Sequence, residues 1–150
     1  MRKTLLSLNF MYCMERFATQ IYRTQIVSFP QTELGRQLDE AAGNEQEHVR
    51  ILRAQIQKLG GFVYPLGALF QFAGVILGRI TRLSGRGNLF RADIFVEVRA
   101  AKDYRRFLRA VRFDAETAAL LRQIIGDEER HILNWRRALA APSGMREAAV

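Results

Sequence analysis

Four long stretches of this chain have apolar residues at helical spacing. Apolar residues recur every three or four positions in each stretch, which is the period of a helix with one buried face. No stretch alternates apolar and polar residues between hairpin turn signals, as a strand would. We therefore predict an all-α fold, with helices over residues 4–28, 32–59, 88–111 and 114–140.

The connections between these helices predict a four-helix bundle. Pro30 ends the first helix, because proline disfavours the helical conformation in the residue before it, and Gly60 and Gly61 end the second. Residues 62–86 form a long apolar crossover that we expect to be partly helical. Short connections on either side of a long crossover are typical of ferritin-like topology. We expect one domain over residues 1–141 and a flexible tail over 142–150.

Glutamates and histidines recur at matching places in the two halves of the chain. Each half has a helix with one glutamate on its apolar face, followed by a helix with a Glu-x-x-His pair on its apolar face. Residues three apart lie on the same side of a helix, so each pair can point at one centre. The repetition indicates an internal pseudo-twofold axis. The residues are Glu15, Glu45 and His48 in the first half and Glu97, Glu128 and His131 in the second.

These inward-facing carboxylates need partners. Four ionised glutamates in a core would be very costly unless they were protonated, salt-bridged or metal-bound. Two divalent cations would balance the four charges, and oxygen with imidazole ligands suits iron or manganese. One glutamate from each of two helices and a Glu-x-x-His pair from each of the others is the pattern of di-iron and di-manganese bundles. We predict two iron ions, with manganese as the alternative; a single Glu-x-x-His pair would more often be a surface ion pair.

Several polar residues near these positions also need an interpretation. Tyr22 and Tyr104 follow the helix glutamates by seven positions, and are either ordinary core tyrosines or hydroxyls that tune a carboxylate. Asp93, one turn before Glu97, either orients a histidine or lies at the surface. Glu47 and Glu129 are rotated about 100° or more from the apolar faces and are predicted to face solvent.

The segments around these positions resemble a known family. They are Glu15 with Ile21-Tyr22-Arg23-Thr24-Gln25, then Glu45-Gln46-Glu47-His48, Glu97 with Tyr104, and Asp127-Glu128-Glu129-Arg130-His131. Together they are similar to the demethoxyubiquinone hydroxylases, a family of ferritin-like di-iron proteins, over roughly residues 8–139. The sequence departs from the usual family pattern over residues 11–14 and at Asp103, which stands where a histidine commonly precedes the tyrosine.

The resemblance implies a function. The six glutamates and histidines would bind two irons that activate O2 to hydroxylate a quinone ring, with Tyr104 near the reaction centre. The crossover would contribute to membrane association and substrate access. We expect an O2-activating monooxygenase of quinone biosynthesis that uses an external electron donor. A ferritin-like or rubrerythrin-like ferroxidase or peroxide scavenger is the alternative, and a metal-binding relative without catalysis is a third.

Charge and cysteine content bear on partners and compartment. The net charge of +8 suits an anionic membrane surface, although basic residues at helical intervals commonly form a solvated face, and we expect no nucleic acid partner. The apolar run over 62–78 is short for a membrane span. Cys13 is the only cysteine and is expected to serve in packing. We expect a cytoplasmic homo-oligomer, peripheral on the inner face of the membrane.

Overall fold

The structure, a computed structural model, describes residues 1–141 and contains only helices and their connections there. The predicted all-α fold is confirmed, and each predicted helix is present with ends that differ by at most two residues. The predicted tail, residues 142–150, lies outside the described residues. The helices are α1 (Arg2–Ile26), α2 (Glu33–Lys58), α3 (Gly67–Leu83), α4 (Arg86–Ala110) and α5 (Ala115–Ala140).

Short capped turns join the helices into two hairpins, α1 with α2 and α4 with α5. The Thr32 side chain caps α2 by accepting a hydrogen bond from the Gly35 amide at 3.0 Å. Asp114 caps α5 in the same way, accepting from the Thr117 amide at 2.8 Å. Side-chain caps satisfy amides that the first turn of a helix leaves unpaired. The hairpins pack through α1 on α4 and α2 on α5.

The crossover forms α3, which packs along α1 as an added helix outside the bundle. The prediction of a partly helical crossover is therefore confirmed. Gly74 and Gly78 face α1, and a Cβ atom on Gly78 would lie 2.8 Å from the Ile21 carbonyl oxygen. A Cβ on Gly74 would overlap the Phe17 carbonyl. These glycines allow the two backbones to approach closely.

Replacing Gly74 by alanine should destabilise the protein by about 1–3 kcal/mol, the usual cost of overpacking. The added methyl group would force α3 away from α1, since the atom it meets is backbone. The control is Gly43→Ala on α2, where an added Cβ meets no atom within 4 Å. That change should instead stabilise the protein by up to about 1 kcal/mol through helix propensity. Urea unfolding of both variants checks this, and an equal gain in stability for both would refute close packing of α3.

Two large apolar clusters fill the ends of the bundle, and a small third cluster around Ala18, Ile21 and Val96 lies between α1 and α4. One end of the bundle is packed around residues such as Leu8, Leu52 and Leu121. The other end contains Leu38 and Trp135 among its buried members. All four bundle helices contribute to both large clusters. The interior between the two large clusters is a water-poor space in which polar side chains can only meet one another.

Candidate metal centre

The six glutamates and histidines singled out in the sequence meet between the two large apolar clusters. Helices α1 and α4 each supply one glutamate, and α2 and α5 each supply a Glu-x-x-His pair. All six side chains are buried, and the most exposed of them, His131, is 9% exposed. Helical spacing accounts for their burial, because each of the six side chains lies on the apolar face of its helix. Metal binding by these residues stays a prediction.

The first group of ligand atoms surrounds the Nδ1 atom of His48. This nitrogen lies 3.4 Å from Glu15 Oε2, 3.4 Å from Glu45 Oε2 and 3.6 Å from Glu128 Oε1. One ligand atom from each of these four residues lies within 4.8 Å of the others. This spacing leaves room for one cation among the four ligand atoms, since bonds from divalent transition metals to oxygen and nitrogen are about 2.0–2.2 Å long.

A second group surrounds the Nδ1 atom of His131. This nitrogen lies 3.1 Å from Glu45 Oε1 and 3.3 Å from Glu97 Oε1, and Glu128 completes the group. Glu45 and Glu128 therefore belong to both groups. The two oxygens of one carboxylate can bind two different ions, so these glutamates lie where they would bridge a pair of cations.

The unpaired atoms of the cluster fit a bound metal pair. Both carboxylate oxygens of Glu45 and of Glu128 are buried without a hydrogen-bond partner, as are the Nδ1 atoms of His48 and His131. Buried polar atoms in folded proteins are nearly always satisfied. Cations would satisfy all of these atoms together, and the donor set of oxygens and imidazole nitrogens suits iron or manganese.

Without metal, the cluster retains protons. Burial, together with the nearby charges of Glu15 and Glu97, raises the pKa of Glu45 to about 8. Burial likewise raises the pKa of Glu128 well above its ordinary value. Burial opposes the charged form of His48, but contacts with Glu15 and Glu45 outweigh it and raise its pKa to about 11. Metal ions must displace these protons to bind, so binding should strengthen as the pH rises.

Two tyrosines connect the halves of the site. Tyr104 on α4 donates a hydrogen bond to Glu15 on α1, and Tyr22 on α1 donates to Glu97 on α4. Trp135 Nε1 donates in turn to the Tyr22 hydroxyl at 3.1 Å. Burial and the facing carboxylates raise the pKa of both tyrosines well above the ordinary value. Both therefore stay protonated donors, and of the two interpretations given above, contact with a carboxylate is the one the structure supports.

Asp127 was not predicted as a site residue, yet it contacts a histidine, as was suggested for Asp93. Its Oδ2 atom lies 3.1 Å from His48 Nε2. Asp93 is buried but accepts a hydrogen bond from Gln25 Nε2 at 2.8 Å, so neither the suggested histidine contact nor a surface position holds for it. The only available signal was that Asp127 precedes Glu128, and adjacency does not say which helix a side chain will face.

The remaining predictions on neighbouring residues hold. Glu47 forms an ion pair with Arg50, and Glu129 forms one with Arg105, both at the surface. Cys13 is buried in one apolar cluster, as expected of a packing residue. Burial raises the pKa of its thiol, with Arg16 acting in the opposite direction. A protonated buried thiol is a poor nucleophile and a poor metal ligand.

Replacing Asp127 by alanine should weaken the binding of one of the two ions by about 10–100-fold, the usual effect of removing a partner that orients a metal-binding histidine. His48 would lose the acceptor on its Nε2 atom, whereas His131 would be untouched. Asp127 also forms an ion pair with Arg130. The control is therefore Asp103→Ala, which likewise removes a buried aspartate paired with an arginine, at 2.7 Å from Arg99 Nε. Calorimetric metal titration should become biphasic only in the Asp127 variant. Equal weakening in both variants would contradict an orienting role.

Fold and site together define the class. A four-helix bundle with glutamates and Glu-x-x-His pairs converging at its middle is the arrangement of ferritin-like carboxylate proteins. Comparison with protein families is more specific: the model of the family described as "Ubiquinone biosynthesis protein COQ7" matches residues 13–147. The chain belongs to this family, which confirms the resemblance described above.

A curated relative is named a 3-demethoxyubiquinol 3-hydroxylase, from Nitrosococcus oceani. It is 27% identical to this chain over 115 residues, which cover 76% of this chain and 54% of the relative. The chain thus spans about half the length of the curated relative that it matches.

Proposed function

We propose that this protein is a di-iron monooxygenase that uses O2 to hydroxylate the ring of a quinol-like substrate at a membrane surface. The observation that carries the proposal is the sharing of Glu45 and Glu128 between the two groups of buried ligand atoms. Family membership and the name of the bacterial relative support quinol hydroxylation in particular.

Glu15 and His48 would hold one ion, Glu97 and His131 the other, and Glu45 and Glu128 both. Four carboxylates would balance the charge of two divalent cations. Iron is preferred to manganese because bound iron supplies the redox chemistry that activates O2. One oxygen atom enters the ring and the other leaves as water, so each turnover requires two electrons and two protons from an external donor.

The tyrosines position the carboxylates of Glu15 and Glu97, each of which would bind one ion. Tyr104 donates to Oε1 of Glu15, while Oε2 of the same carboxylate faces His48. Tyr22 donates to Oε1 of Glu97, which is also the oxygen that lies 3.3 Å from His131 Nδ1. Since both hydroxyls keep their protons, each holds one carboxylate oxygen in place through a donated hydrogen bond. We place Tyr104 near the reaction centre and assign it a positioning role.

Helix α3 supports a position at the membrane surface. Leu69, Phe72, Ile76 and Ile80 form an outward stripe at helical spacing, and each side chain is 45–62% exposed. Such a stripe on a basic protein favours interfacial binding to a bilayer with anionic lipids. Among residues 1–141, the structure has no helix of the length and hydropathy needed to cross a membrane. We propose peripheral attachment through α3.

The test supplies iron-loaded protein with a reductant, 18O2 and vesicles that contain a quinol lacking one ring hydroxyl. The expected product carries one 18O atom, measured by mass spectrometry. Oxidation of iron with retained mineral and no 18O in the quinol would overturn the proposal in favour of a ferroxidase. Protein with a bound metal pair that consumes no O2 would point to a role without catalysis.

A further inference from the structure

Three arginines gather at a cavity between α1, α2 and α3 that none of the six glutamates and histidines of the metal centre lines. The cavity has a volume of about 190 Å³, and Arg16, Arg23 and Arg53 are among its lining residues. Its remaining lining side chains are glutamines, Tyr12, Thr19 and Val49, so no carboxylate contributes to the wall. The cavity therefore collects positive charge without a negative partner.

The contacts of these arginines confirm that their partners are neutral. Arg16 Nη1 and Arg53 Nη2 both approach the hydroxyl oxygen of the buried Tyr12, at 3.3 and 3.5 Å. Arg16 also donates to Gln71 of α3, and Arg23 Nη2 lies 3.3 Å from Gln46 Oε1. In the described part of the chain none of the three forms an ion pair. Like charges held near one another repel, and an anion between them would remove the repulsion.

The internal symmetry of the chain supplies a comparison. A second cavity, between α4 and α5, is lined by Arg105, Glu129 and Arg136. Glu15 and Glu97 lie 82 positions apart, and Glu45 and Glu128 lie 83 positions apart; on these two offsets Arg105 corresponds to Arg23 and Glu129 to Gln46. In the second cavity the arginine forms an ion pair with the glutamate. In the first cavity a glutamine replaces that glutamate.

The offset of 82 positions shows a second difference. Arg16 in the first cavity corresponds to Val98 in the second. The first cavity thus has one more cation and one fewer anion than its counterpart, although equivalent hairpins, α1 with α2 and α4 with α5, form the walls of both; α3 adds Gln71 to the first cavity alone. Neither difference is required by the metal centre, because Arg16 and Gln46 point into this cavity and the metal-binding side chains point into the core.

We propose that the arginine cavity binds an oxyanion of the phosphate class. Guanidinium groups bind phosphate oxygens in pairs of parallel hydrogen bonds, and three of them exceed what a single carboxylate would balance. Gln20 and Gln71 also line the cavity and add neutral amide donors. The phosphate is either free in solution or the headgroup of an anionic lipid, since Gln71 precedes Phe72 of the exposed apolar stripe on α3.

The experiment adds to the first cavity the carboxylate that the second one has. Gln46→Glu would pair with Arg23 and compensate one charge, while Gln123→Glu makes the same chemical change at an exposed position on α5 outside the cavity. Binding of radiolabelled inorganic phosphate is measured by equilibrium dialysis at low ionic strength. The full chain is used, with metal content matched between variants by elemental analysis. Because all variants share the metal centre, phosphate bound there cancels from the comparison.

We expect Gln46→Glu to weaken phosphate binding about tenfold, a change of about 1.4 kcal/mol, and Gln123→Glu to change it less than about twofold. A parallel arm measures sedimentation with vesicles of phosphatidylcholine, with and without phosphatidylglycerol. Selective loss of free phosphate binding identifies a soluble ligand. Selective loss of the phosphatidylglycerol-dependent part of vesicle binding identifies a lipid headgroup.

If the two variants behave alike in both arms, the proposal is overturned. The result is independent of the proposed hydroxylation, because neither arm measures turnover. It is also independent of membrane attachment through α3, since free phosphate is measured without vesicles. A protein that hydroxylates no quinol can still contain this anion site, and an active hydroxylase can lack it.

Discussion

Replacing Glu45 by glutamine is expected to abolish binding of the metal pair while stabilising the metal-free fold. The variant removes a carboxylate shared by both groups of ligand atoms, so neither ion retains its full ligand set. Above about pH 8, where Glu45 is ionised, it also removes a buried charge that faces Glu15 and Glu97. An amide has nearly the same shape and avoids both the repulsion and the loss of solvation that burial imposes on a charge. Metal binding is thus expected to fall while the stability of the metal-free protein rises.

The stabilisation should depend on pH with a definite sign. The pKa of Glu45 is about 8 in the fold against an ordinary value of 4.5, so between these values the folded state binds the proton more tightly than the unfolded state. Glu45 therefore makes the metal-free protein less stable as the pH rises from about 4.5 to 8. Glutamine has no such titration. The advantage of the variant should be small near pH 5 and largest at pH 8 and above.

Urea unfolding of metal-free protein at pH 5 and pH 8, with elemental analysis after iron loading, measures both effects. Glu47→Gln is the control, because Glu47 lies two residues away at the surface and pairs with Arg50. That variant should keep its metal and change stability by less than about 0.5 kcal/mol. The hypothesis fails if Glu45→Gln still binds a full pair of metal ions. A loss of metal-free stability at pH 8 would contradict the electrostatic account.

The helices and the six-residue cluster could be predicted because local patterns determine them. Pro30, Gly60 and Asp114 act on the backbone next to them, and the structure places helix ends close to each. Helical spacing decides which face a side chain occupies, so Glu45 and His48 had to share the side of α2 that carries its apolar residues. Once four such faces were recognised, their burial against one another followed from the hydrophobic effect.

The contacts between the halves could not be predicted, because they depend on how the helices are paired and rotated. The tyrosines illustrate this: Tyr22 and Glu15 share a helix, yet Tyr22 contacts Glu97 of the other half. Asp127 reaches a histidine on α2 for the same reason. The apolar crossover could likewise have been buried within the bundle. The structure instead packs α3 against α1 and leaves its apolar side chains Leu69, Phe72 and Ile76 exposed, so α3 lies outside the bundle.

Membrane attachment is expected to depend strongly on the exposed apolar stripe of α3. Changing Leu69, Phe72 and Ile76 together to serine should weaken binding to phosphatidylglycerol-containing vesicles about 100-fold. Complete burial of an apolar side chain stabilises by about 1.5–3 kcal/mol. Insertion of these half-exposed side chains into the bilayer would therefore contribute about 1 kcal/mol each to the free energy of binding. About 3 kcal/mol in total corresponds to that factor. The fold should survive, because all three side chains are 45–62% exposed; circular dichroism checks this and vesicle sedimentation measures binding.

The chain offers a matched control on the opposite hairpin. Phe95, Val98 and Leu133 on α4 and α5 are also apolar and 40–71% exposed, so their triple serine variant removes a comparable apolar surface. If attachment occurs through α3, only the α3 variant loses vesicle binding. It should still hydroxylate a short-chain quinol dissolved in detergent, because no residue of the metal centre has changed. Equal losses in both variants would instead indicate nonspecific adsorption, and unchanged binding in both would exclude an apolar attachment surface on α3.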